Sequence, residues 1–254
     1  MLVDTHCHLY LLGASAEELV AEAATACVGH VVDDGIDLAS SEVAAANAAR
    51  IPSVSASAGI HPNSAGEATP EAMAAVEALL ERPEVVAVGE TGLDNYRDNT
   101  APEVQRAAFA AHAELAKRFA LALIIHCRDA FDDVLDVLDR VGPPELVVFH
   151  CFTGDAAMAK RIVDAGWVVS FSGTVTFKNA PGQRAACAVV PLEQMVLETD
   201  SPFLSPHPYR GRPNRPGRVA VTAVTVAEVH GIGLDAVAEA TSATAARTFG
   251  LTLE

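Results

Sequence analysis

No run of the chain approaches the ~20 uninterrupted apolar residues that a membrane helix needs, so a transmembrane span is excluded. The opening MLVDTHCHL lacks the positive start and small-residue cleavage site of a secretory signal. Cysteine is sparse: Cys7, Cys27, Cys127, Cys151 and Cys187 are odd in number, scattered and never spaced CxxC. That argues against both a disulfide framework and a cysteine-rich zinc site, and the expected setting is a reducing, cytoplasmic one. Aromatic residues are few, so the core must be largely aliphatic. Positive charge is also short, with 17 Lys and Arg against 33 Asp and Glu and a formal net charge of -16. Sequence-independent adhesion to nucleic acid depends on Lys and Arg neutralising phosphates, so this balance opposes it. Any phosphate substrate must meet local positive charge, from bound metal ions or from a short arginine-rich segment.

What is present is alternation. Short β-rich apolar runs at 2–7, 28–33, 53–59, 85–90, 121–127, 146–151, 167–171 and 195–199 are separated by Ala/Glu/Leu-rich stretches of helical character. The helical candidates are 14–27, 38–50, 70–82, 102–119, 130–141, 155–165 and 180–189, with Pro70 and Pro102 where a first helical turn tolerates proline. A Pro/Arg/Gly-rich loop at 201–217 precedes two more helical segments ending near Phe249. Repeated βα units predict a parallel sheet. Eight strands match an α/β fold of the single (β/α)8 TIM barrel type, with residues 1–254 forming one domain, since no linker or low-complexity block interrupts the pattern. A doubly wound open sheet shares the alternation and is the main alternative.

The placement of polar residues favours the barrel. His6, His8, Glu90, His126, His150 and Asp200 fall at or just past predicted strand ends, the C-terminal rim on which barrel active sites are built. Side chains two apart on an extended chain point the same way, so His6 and His8 face one centre while Cys7 turns outward. Imidazoles and carboxylates are ordinary ligands for zinc, manganese and similar divalent ions. Taken singly, each has a structural explanation: Glu90 as a turn cap, Asp200 as an Asx-turn residue, a lone histidine as a hydrogen-bonding core residue. Together they are harder to explain that way, because charged Glu90 and Asp200 at the ends of apolar strands are costly unless paired or coordinated.

The motifs DTHCHL, GIHP, GETGLD, IHCRDA, HCFTG, SFSGTVTF, ETDSPFL and PYRGRPNRP, in this order over nearly the whole chain, resemble those of the TatD-type metal-dependent deoxyribonuclease family. The resemblance implies an amidohydrolase-like barrel with two divalent metal ions (Zn, Mg or Mn). It assigns His6, His8 and Asp200 to one ion, His126 and His150 to the other, and Glu90 as a bridge. Glu90 then stands where many other amidohydrolases use a modified lysine. One departure is GLDNYRD, where the family pattern has an aromatic directly after GLD; Asn95 alters that loop unless Tyr96 compensates.

The implied reaction is hydrolysis of phosphodiester bonds, with 3'-5' exonuclease action on single-stranded DNA ends. Asp200 and Glu90 are the catalytic candidates, Asp200 as general base. His61 in GIHP contacts phosphate, supports the ligands or merely shapes a turn with Pro62. Glu198 orients water, a ligand or an arginine, or is a buried acid paired to a neighbouring strand. Arg210, Arg212 and Arg215, with Arg218 after them, form either a phosphate-binding segment or a solvated turn, and Arg128 clamps substrate or pairs with a carboxylate. The partner expected is DNA, with neither a membrane nor an obligatory protein partner. A two-metal site equally serves an amide, a lactone, a small phosphoester or D-aminoacyl-tRNA, because fold and site do not fix the substrate.

Overall fold

A computed structural model describes residues 1–97 and 99–253. The elements run β1 (Leu2–Cys7), α1 (Ala16–Ala24), β2 (Val28–Asp34), α2 (Leu38–Arg50), β3 (Val54–Ala58), α3 (Pro70–Leu80), β4 (Val85–Asp94), α4 (Pro102–Phe119) and β5 (Ala122–Arg128). They continue with α5 (Phe131–Val141), β6 (Val147–Phe149), α6 (Ala156–Asp164), β7 (Val168–Phe171), α7 (Pro181–Val189), β8 (Met195–Leu197), α8 (Val219–His230) and α9 (Leu234–Phe249). Strand order follows chain order from β1 to β8 in one sheet, which is the topology of the (β/α)8 barrel. Among the described residues no single helix is long and apolar enough to cross a membrane.

Local chemistry starts the helices where the sequence places the signals. Ser15 and Glu18 close a capping box on α1, and Asp37 with Ser40 does so on α2. Thr69 caps α3 ahead of Pro70, and Pro102 opens α4, each proline at a position whose N–H has no helical partner. α5 buries Phe131, Val134, Val137 and Leu138 on one stripe, with acids on its other face.

The chain divides into two compact units, Met1–Asp33 with Cys151–Glu254, and Asp34–His150. In the first, β1 pairs with β2 and β7 with β8, all parallel, and the segment following β8 bridges back to β1 at Cys7 and Ser201. Asp4, fully buried on β1, locks that junction by accepting the Thr199 N–H at 2.8 Å and the Thr199 hydroxyl at 2.6 Å. In the second unit β3, β4, β5 and β6 pair in parallel, with Ile124 opposite Val148 and His126 opposite Gly92.

One boundary departs from the sequence expectation in a way that matters. β4 does not stop at Glu90 but runs on to Asp94, with its register against β5 slipping between Val88 and Thr91. Gly89 (φ 149°) and Gly92 (φ 135°) make this possible, since a β-carbon on Gly92 would collide with the His126 carbonyl oxygen. Glu90 therefore lies within a strand rather than at its end.

Candidate metal centre

In the first unit the extended backbone of β1 aims alternate side chains to one side. His6 and His8 stand with ring centroids 5.0 Å apart, while Cys7 is fully buried with its thiol against the Val32 carbonyl. Cys7 thus turns away from the histidines, into the neighbouring strand rather than to solvent. The loop after β8 is stitched to β1: Asp200 N–H donates to the His6 carbonyl at 2.9 Å, and His8 N–H donates to that of Ser201 at 2.8 Å. Asp200 itself adopts a left-handed conformation (φ 54°), which Asp tolerates better than most residues. The ligand atoms of His6, His8 and Asp200 all lie within 4.8 Å of one another, with His8 Nε2 3.5 Å from Asp200 Oδ1. That separation is long for a hydrogen bond. It is close to the roughly 3.4 Å edge of a tetrahedron whose metal–ligand bonds are about 2.0–2.1 Å.

In the second unit three imidazoles surround one carboxylate oxygen. Glu90 Oε1 lies 2.8 Å from His126 Nδ1, 2.9 Å from His150 Nε2 and 3.4 Å from His61 Nε2. His61, Glu90 and His126 also place their ligand atoms within 4.8 Å of one another. Burial works against the charge on Glu90, but the facing histidines outweigh it and hold the carboxyl well below the usual range. His126 has a carboxylate at each ring nitrogen, because its Nε2 is 3.2 Å from Asp94 Oδ2. Burial disfavours its charged form, yet Asp94 and Glu90 prevail and raise its pKa. His61 accepts the Asn63 N–H at Nδ1, which leaves its Nε2 as the protonated nitrogen in the neutral ring, and burial lowers its pKa despite Glu90. Cys127 offers no thiolate nearby, since burial pushes its thiol up to about 12.

The family described as TatD related DNase matches residues 3–250. A Mycobacterium tuberculosis protein named uncharacterized metal-dependent hydrolase TatD is 44% identical, over 98% of each chain. The chain belongs to the TatD family of metal-dependent hydrolases. A Bacillus subtilis relative, uncharacterized metal-dependent hydrolase YabD, is 35% identical over 98% of this chain and 99% of its own. The crystal structure of the TatD homologue YjjV from Escherichia coli superposes with a TM-score of 0.93 at 30% identity, covering 99% of this chain and 98% of that one.

Within this TatD-family chain the donor sets fit divalent ions. Each combines imidazole nitrogen with carboxylate oxygen, mostly buried, in the mixture that suits zinc, manganese and related metals. The residue that the sequence reading passed over is Asp94. It is 1% exposed, and besides His126 it accepts the Tyr96 and Arg97 N–H groups at 2.9 Å and the Asn63 amide at 3.3 Å. Its spacing from Glu90 was the available signal: four residues along one strand place both side chains on the same face.

The remaining candidates are distributed unevenly. Glu198 is fully buried and accepts the Ser170 hydroxyl, which sets it among the strands rather than at the solvent-facing side. The arginine-rich loop is fastened beside Asp200 by buried Asn214, whose N–H donates to the Pro202 carbonyl and whose amide donates to that of Thr199, both at 2.8 Å. Arg210 lies over the Phe177 ring at 3.7 Å, Arg215 pairs with Glu22 at 2.6 Å, and Arg218 donates to the Pro213 carbonyl. Arg212 is exposed. In the GLDNYRD loop, Asn95 does not take an aromatic's place: its amide donates to Asp133 and to the Asp129 carbonyl. Tyr96 carries the aromatic face instead, with the Arg128 guanidinium 3.9 Å from its ring centroid.

Proposed function

We propose that this chain hydrolyses phosphodiester bonds in DNA and removes nucleotides from single-stranded ends in the 3'-5' direction. It acts with two divalent cations, in a reducing, cytoplasmic setting. His6, His8 and Asp200 would hold one cation, His126 and His150 the other, and Glu90 would link them. The observation that carries this reading is the pair of His/carboxylate clusters, one of them adjoining a loop that carries Arg210, Arg212 and Arg215 in an otherwise acidic chain. Bound divalent ions supply Lewis acidity and charge neutralisation at a phosphoryl group.

The protein's own residues divide the remaining work. Asp94 accepts the Nε2–H of His126, leaving the Nδ1 lone pair on the Glu90 side. Asp200 is the more exposed member of its pair, 14% against 3% for His8, so it is the acid that meets solvent. It takes the proton of the attacking water as the new oxygen–phosphorus bond forms and the phosphorus–O3' bond breaks. Arginines of the 201–217 loop hold flanking phosphate oxygens in a planar fork, compensating the acidity of the rest of the chain.

The test is degradation of end-labelled single-stranded oligonucleotide after stripping with EDTA. Activity is expected to vanish, to return with Mg, Mn or Zn, and to fall by about 100-fold or more in Asp200→Asn, in keeping with loss of a general base. Full nuclease activity in EDTA refutes the reading. A metal-loaded protein that is inert on oligonucleotides but cleaves D-aminoacyl-tRNA or a small phosphoester refutes the DNA assignment while leaving the hydrolase intact.

A further inference from the structure

Among the basic groups described above, Arg128 is the one on the strand that carries a histidine of the clusters. It is exposed, no carboxylate of a described residue forms an ion pair with it, and it stacks on the ring of Tyr96 at 3.9 Å. Tyr96 is itself 65% exposed, so this stack faces water rather than filling a core. The stack thus fills no core and, among the described residues, meets no carboxylate partner for Arg128. It does have a fixed position. Arg128 follows His126 by two residues on β5 and so shares its face of the strand, about 7 Å further along. Tyr96 is held by its backbone N–H on Asp94 Oδ1, and the same carboxylate engages His126 through Oδ2. Asn95 is anchored separately, its N–H to the Arg128 carbonyl and its amide to Asp133, so the loop cannot carry Tyr96 away without breaking these bonds. A guanidinium stacked by one face keeps its in-plane N–H groups outward, the geometry that grips two oxygens of one phosphate.

We infer that Tyr96 and Arg128 form a phosphate subsite beside the His61, Glu90 and His126 cluster, with Arg128 binding the phosphate next to the one being cleaved and Tyr96 positioning the guanidinium. The inference rests on the phosphodiesterase reading above, and it assigns Tyr96 as a specificity-determining residue. It predicts that the enzyme distinguishes a dinucleotide bearing a terminal phosphate from one lacking it.

The experiment compares the Mn-loaded protein on thymidine dinucleotide with and without a terminal phosphate, and measures anisotropy of fluorescein-labelled hexathymidylate bound to the metal-free protein. In the unsubstituted protein KM for the phosphorylated dinucleotide should be at least about tenfold lower. Arg128→Ala should abolish that preference with kcat changed less than about threefold, and weaken hexathymidylate binding about tenfold. Tyr96→Ala should lose part of the preference and Tyr96→Phe should keep it, because the ring and not the hydroxyl makes the stack. Arg128→Ala with an unchanged preference and unchanged binding overturns the subsite while the nuclease reading stands. A protein that binds hexathymidylate through Arg128 yet cleaves no dinucleotide keeps the subsite and refutes the reaction. A protein that neither binds nor cleaves refutes both.

Discussion

Asp94 offers the sharpest test of how the second cluster is assembled. Its carboxylate accepts four hydrogen bonds, from His126 Nε2, Asn63 Nδ2 and the Tyr96 and Arg97 N–H groups, at 2.9 to 3.3 Å. Bonds to a charged acceptor are worth about 1.5–3 kcal/mol each, but the four are not additive, since the loop amides can turn to water. Truncation in Asp94→Ala should therefore cost about 3–5 kcal/mol, the range for removing one partner of a buried charged pair. Asp94→Asn is the more informative change because it keeps the shape. If its NH2 group faces His126, that ring must accept at Nε2 and carry its proton on Nδ1, the atom directed at Glu90. If the NH2 group faces the loop, the N–H groups of Tyr96 and Arg97 lose their acceptor. Either orientation should lower divalent-metal affinity by roughly 10- to 100-fold, the usual effect of losing a carboxylate behind a ligating histidine. Calorimetric titration of the metal-free variant with Zn or Mn reads the affinity, and urea unfolding reads the stability. Wild-type metal affinity and an unchanged urea midpoint in Asp94→Asn would refute the role given to this carboxylate.

Gly92→Ala should destabilise by about 3 kcal/mol, combining an unfavourable positive φ with a collision at the His126 carbonyl, and a urea midpoint within experimental error of wild type would contradict it. Burial pulls both His30 and His112 down to about 4 from 6.5, so the unfolded chain binds more protons than the folded one between those values. Stability from the two neutral rings is therefore complete above pH 6.5 and lost as pH falls toward 4, at roughly 3 kcal/mol each, with about 2 of it gone by pH 5; urea midpoints from pH 7.5 to 5 should follow that slope. Replacing His112 with Gln should remove about half the slope. Arg215→Ala breaks only a solvent-exposed pair with Glu22 and should change stability by under about 1 kcal/mol, so a raised KM for oligonucleotide in that variant would report substrate contact and not unfolding.

The parts of this molecule that follow local rules could be read directly. α2 and α4 occupy the expected spans of 38–50 and 102–119 because the Asp37 cap of the first and the first-turn Pro102 of the second are written into the sequence. β1 does so because an apolar strand ends in a His-x-His pair whose period of two admits only one common face. What could not be read depends on close approach between segments far apart in sequence. The extension of β4 to Asp94 is hidden because glycine is a poor strand former, and only the contact of Gly92 with the His126 backbone explains why glycine is needed there. Cutting the strand at Glu90 removed Asp94 from the site, although both acids share one face of the longer strand. His112 is a second instance. Its position inside α4 reads as structural, and it is, but what it supports is the Gly59–His61 turn, since its Nε2 accepts the Ile60 N–H at 3.1 Å while its Nδ1 donates to the Ala108 carbonyl at 2.7 Å. His61 thus owes its place beside Glu90 to a neutral histidine 51 positions away in sequence, and the arginines divide in the same manner. Clustering in the sequence draws attention to Arg210, Arg212 and Arg215, of which Arg210 lies over the Phe177 ring and Arg215 pairs with Glu22. The isolated Arg128, with no basic neighbour to mark it, is likewise exposed on an aromatic face, and it stands on the strand that carries His126.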